Sequence, residues 1–88
     1  MLTRSVLIAN PTGLHARPAS QLVQLAKTFQ SRITLRADEK MANAKSILAV
    51  LALGAGQGCQ VEIEAVGSDE EDAVQQMVAA ILSGLGEE

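Results

Sequence analysis

The chain has almost no aromatic character: one phenylalanine, Phe29, and neither tryptophan nor tyrosine in 88 residues. Without aromatic platforms or a basic run, it has nothing on which to stack bases, so no nucleic-acid partner is expected. The single cysteine, Cys59, excludes an internal disulfide and reads as a partly buried reduced thiol rather than a reactive one. One histidine and one cysteine are too few for a zinc site, and no metal is expected. The longest apolar run, residues 47–56, is too short to span a bilayer. Met1-Leu2-Thr3-Arg4 lacks the apolar stretch of a secretory signal. No Walker-type loop exists, because Gly54-Ala55-Gly56-Gln57-Gly58 is not followed by Lys-Ser/Thr. The expectation is one small domain over residues 1–88, cytoplasmic, monomeric, not inserted in membrane and without a cofactor.

Basic residues are missing from the second half. All seven lie within residues 1–45, against two acids there, while residues 46–88 carry eight acids and no base. If the halves stay apart in space, the basic half attracts acidic partners; otherwise both sets simply solvate the surface.

The pattern of what is present alternates strand and helix. Residues 3–9 are β-rich and stop at Asn10-Pro11-Thr12-Gly13, a turn signal. Ala19, Leu22, Val23 and Ala26 share one face of a helix expected over residues 16–28. Pro18 fits only in its first turn, where backbone N–H groups have no intrahelical acceptor. Arg32-Ile33-Thr34-Leu35-Arg36 alternates as a strand, Asp38-Glu39-Lys40 turns, and residues 41–44 return. Ser46 is a suitable N-cap for a short helix, Ile47–Leu53, ended by Gly54. Residues 60–66 alternate again. Ser68-Asp69-Glu70-Glu71 reads as a capping box opening a helix with a stripe of Ala73, Val74, Met77, Val78, Ile81 and Leu82, stopped by Gly84. The last residues, Gly86-Glu87-Glu88, read as a frayed tail. The order β-α-β-β-α-β-α with short turns predicts an α+β fold, an antiparallel sheet with helices on one face.

His15 is the one histidine, placed where a turn hands over to a helix, with Arg17 two positions on. Imidazole is a competent phosphoryl nucleophile, and a helix start plus a guanidinium would hold the phosphate it acquires. On residue type and position alone, a lone turn histidine is more often a surface or capping residue than a catalyst. Ser20 lies about one turn beyond His15, but no carboxylate nearby in sequence completes a triad. Without a nucleotide loop, the phosphoryl group would have to come from another protein.

Gly13-Leu14-His15-Ala16-Arg17-Pro18-Ala19 resembles the active-site signature of the HPr family, the histidine-containing phosphocarriers of the bacterial phosphotransferase system. Asn43-Ala44-Lys45-Ser46-Ile47-Leu48, then Leu51-Ala52-Leu53-Gly54 and Gly58, resembles the family's second signature. The resemblance implies an open-faced β-sandwich of four antiparallel strands with three helices on one face. It implies that enzyme I, charged by phosphoenolpyruvate, phosphorylates His15 on Nδ1, and that the group passes to IIA domains of sugar permeases. Arg17 and the backbone N–H groups of Ala16 and Arg17 would hold it. Ser46 would be the site of an ATP-dependent HPr kinase/phosphorylase, with a catabolite-control transcription factor as a further partner; the alternative is a plain N-cap. Ile47, Leu48, Leu51, Lys45 and Gly54 would form the docking surface, since a seven-residue helix cannot bury all its apolar residues. Residues 61–65 and 83–88 also resemble the nitrogen-branch paralogue, NPr. A regulatory adaptor switched at Ser46 and a small histidine-dependent hydrolase are the other readings.

Overall fold

The computed structural model describes residues 1–11 and 13–85; Thr12 within the expected turn and the expected tail 86–88 lie outside them. Its elements are β1 (Leu2–Leu7), α1 (Ala16–Ala26), β2 (Arg32–Ala37), β3 (Lys40–Asn43), α2 (Ile47–Leu53), β4 (Gln60–Val66) and α3 (Glu70–Leu82). The four strands form one antiparallel sheet in the order β1-β4-β2-β3. The predicted α+β class and element order hold.

Alternation explains the sheet. Ile33 and Leu35 on β2, and Val61, Ile63 and Ala65 on β4, are fully buried, and the residues that alternate between them, Thr34, Glu62 and Glu64, are polar. They meet Ala19, Leu22, Val23 and Ala26 of α1, Val50 and Leu53 of α2, and Ala73, Val74, Met77 and Ile81 of α3 in one core. The β2–β3 loop is two residues, Asp38 and Glu39, and Asp38 takes the left-handed conformation (φ 54°) that a short polar side chain tolerates.

Several boundaries differ from expectation. β1 ends at Leu7, because Ile8 leaves the strand pairing to exchange backbone hydrogen bonds with Gly58 and Cys59. α1 ends at Ala26, where Thr28 turns back and donates both its N–H and its hydroxyl to the Leu25 carbonyl. The returning strand is shifted one residue earlier, to Lys40–Asn43, by the two-residue loop. Ser68 is not the cap of α3; Asp69 holds that position, and its side chain is engaged elsewhere. Leu82 is 60% exposed rather than in the α3 stripe.

The charge halves are interleaved rather than apart. The acidic β4 lies between β1 and the basic β2, and Arg36 meets Glu62 across that pairing at 2.6 Å. The N-terminal ammonium of Met1 pairs with Glu70 at 2.7 Å. No described helix is long and apolar enough to cross a membrane.

Candidate functional site

Pro18 fixes where the site begins. α1 starts at Ala16, and His15 is its N-cap, with extended backbone (φ −85°, ψ −175°) and its carbonyl accepting from the Ala19 N–H at 2.8 Å. Proline has no N–H, and that of Ala19 is satisfied. The N–H groups of Ala16 and Arg17 are then the orphan donors of the first turn. They are the two that the resemblance assigns to a phosphate. The His15 side chain makes no capping hydrogen bond and is exposed, so the imidazole is not committed to the helix start. Arg17 is exposed and makes no ion pair among the described residues.

The loop carrying His15 is fastened on both sides. Leu14 is buried, and its N–H donates to the Ala55 carbonyl at 2.8 Å. Gly13, at φ 65°, lies so close to the same segment that a Cβ would come within 2.5 Å of the Ala55 oxygen. Only glycine fits there. Asn10 Nδ2 donates to the Gly13 carbonyl at 2.6 Å. Asn10, Ala55 and Gly56 are contributors that sequence reasoning missed; Asn10 had read only as part of a turn.

His15 opens on a shallow depression of about 160 Å³, lined also by Leu14, Leu51, Gly54, Ala55 and Gly56. The structure therefore brings together His15, Leu51 and Gly54 from the sequence-predicted set. Gly54 ends α2 in the left-handed conformation (φ 67°). Val50 and Leu53 are buried, while Ile47 and Leu51 are each 37% exposed and Leu48 is 77% exposed. The expected apolar patch on α2 is present.

Ser46 and Lys45 stand at the other end of α2, with Ser46 roughly 12 Å along its axis from Gly54. Ser46 is the N-cap, its Oγ accepting from the Ala49 N–H at 3.3 Å. Lys45 is not displayed beside His15: its Nζ donates to the Phe29 carbonyl at 2.7 Å, beyond the C-terminal end of α1. Among the described residues no group of acids, histidine and cysteine could hold a metal ion.

Residues 2–83 match the family model for the phosphotransferase-system HPr component phosphorylation site. The chain belongs to the HPr/NPr family of phosphocarrier proteins.

Relatives from both branches of that family are nearly equally similar. The phosphocarrier protein NPr of Proteus mirabilis is 45% identical, over 97% of this chain and 96% of its own. The phosphocarrier protein HPr of Lysinibacillus sphaericus is 44% identical, over 98% of this chain and 97% of its own. The crystal structure of HPr from Thermoanaerobacter tengcongensis superposes with a TM-score of 0.96 at 46% identity, covering 100% of this chain and 99% of that one. As an HPr/NPr phosphocarrier, the protein is a non-enzymatic component of the phosphotransferase system, and its family implies enzyme I and IIA domains as partners.

Proposed function

We propose that His15 is the phosphoryl acceptor, taking the group on Nδ1 from phosphoenolpyruvate-charged enzyme I and yielding it to the IIA domain of a sugar permease. The exposed, uncapped imidazole at the start of α1, above the orphan N–H groups of Ala16 and Arg17, is the observation that carries this reading. Once the P–N bond forms, the new negative charge meets the positive end of the helix and the exposed Arg17 guanidinium. This holding is moderate, as a relay requires, since each 1.4 kcal/mol of excess stabilisation biases transfer about tenfold. The exposed Leu48 and Leu51, with Ile47, receive the partners beside the depression. Ser46 is the regulatory site, where a phosphate at a helix N-cap adds charge without unfolding the domain.

Incubation with phosphoenolpyruvate and enzyme I tests this, with mass and acid lability as readouts. His15→Ala should take up no acid-labile phosphate, and Arg17→Ala should slow transfer in an intact fold. Equal labelling of His15→Ala and the unmodified protein overturns the assignment. Treatment with ATP and HPr kinase should add one acid-stable phosphate, lost in Ser46→Ala. A nitrogen-branch carrier is the second reading, supported about equally, at 45% identity to NPr against 44% to HPr. Faster loading by the nitrogen-branch enzyme I than by the sugar-branch one would establish it.

A further inference from the structure

We propose that Asn10 is a positioning residue for phosphoryl transfer at His15, clamping the histidine loop through Gly13. The proposal rests on His15 being the acceptor. Asn10 is 1% exposed, although its neighbours Ala9 and Pro11 are exposed. A buried carboxamide is costly unless hydrogen-bonded, so its burial at a surface loop calls for a use. Its Nδ2 donates to the Gly13 carbonyl at 2.6 Å, while its own carbonyl accepts from the Gly13 N–H at 3.1 Å. Gly13 is therefore held at both of its backbone polar groups by one residue.

The opposite side of Gly13 has no slack. Its α-carbon packs on Ala55 and Gly56, and the next residue, Leu14, bonds to the Ala55 carbonyl. His15 follows directly. The clamp thus fixes the peptide two residues before the imidazole, between the Asn10 carboxamide and the segment after α2. In-line attack on phosphorus depends on placing one ring nitrogen to a fraction of an ångström. Docking depends instead on Leu48 and Leu51, which lie on a different element. Loosening the clamp should therefore cost rate and leave association unchanged.

The chemistry of the clamp requires a donor. Aspartate keeps the shape of asparagine but, when ionised, offers only acceptors to the Gly13 carbonyl. Alanine removes the contact altogether. The test is transfer from enzyme I and phosphoenolpyruvate to the full chain at rising carrier concentration, for the unmodified protein, Asn10→Ala and Asn10→Asp. The maximal rate should fall roughly tenfold in both variants, with half-saturation changed less than twofold. The amide resonances of Ala16 and Arg17 should shift in the unphosphorylated variants, as the first turn moves with the loop. If Asn10→Ala does not fold, the near-isosteric Asn10→Asp carries the test. A folded variant with a maximal rate within twofold of the unmodified protein overturns the proposal, and so does a change confined to half-saturation. Failure of the unmodified protein to acquire acid-labile phosphate would instead bring down the reading of His15, and this proposal with it.

Discussion

Asp69 joins two parts of the chain that the sequence keeps far apart. Its carboxylate accepts from the Gln30 N–H at 2.8 Å, from the Ser31 N–H at 2.9 Å and from the Ser31 hydroxyl. It therefore staples the start of α3 to the chain entering β2. The Ser31 hydroxyl first, then the Gln30 N–H, holds its carboxyl below the ordinary value of 3.8. Glu70 is lowered as well, by the N-terminal ammonium and then by the Gly67 N–H, from an ordinary 4.5. Because the unfolded chain takes these protons first as acid is added, both groups stabilise the fold fully above those ordinary values. Their contribution is lost as pH falls through the lowered folded values. Melting temperature against pH should show this: Asp69→Asn lowers it at neutral pH, and the gap to the unmodified protein narrows below about pH 4. A gap that is constant with pH would show that the carboxylate's charge does not matter.

At the scale of elements, two glycines with nearly the same backbone make different demands. Gly13 (φ 65°) and Gly54 (φ 67°) are both left-handed, but only Gly13 is crowded; a Cβ on Gly54 would meet nothing within 4 Å. Gly54→Ala should cost only its conformational strain, about 1–2 kcal/mol. Gly13→Ala adds a clash with the Ala55 oxygen and should cost more in urea unfolding, while also slowing transfer to His15. Such crowding cannot be read from sequence, whereas much else could. The alternation in β2 and β4 was legible because a period of two has no other use in segments that short. The bounds of α2 were legible because Ser46 and Gly54 are chemically suited to caps, and Pro18 placed the start of α1. The end of α1, the cap of α3 and the burial of Asn10 were not, since each depends on a partner supplied by the fold or on local turn geometry. The motifs named His15, Leu51 and Gly54, which the fold gathers at one depression; that Lys45 reaches for the Phe29 carbonyl instead could not be read from them.

Across the whole molecule, the short helix α2 divides its apolar residues between the core and the surface proposed for docking. Leu53 is 5% exposed and Leu48 is 77% exposed. Leu53→Ala should cost about 2–5 kcal/mol by denaturant unfolding. Leu48→Ala should leave stability within about 0.5 kcal/mol and raise the carrier concentration needed to half-saturate enzyme I. An equal loss of stability in both would mean that Leu48 is part of the core. The bond from the Leu14 N–H to the Ala55 carbonyl has a consequence for folding order. Between its two ends lie α1, β2, β3 and α2, so it closes a long loop and carries the entropy cost of one. A nascent chain that has emerged only as far as Gly54 contains His15, Arg17 and Ser46 but lacks the carbonyl that seats the histidine loop. Competence would arrive no earlier than that connection, and the sheet itself closes only with β4, which joins β1 to β2, so an unfinished chain would be a poor competitor for phosphate.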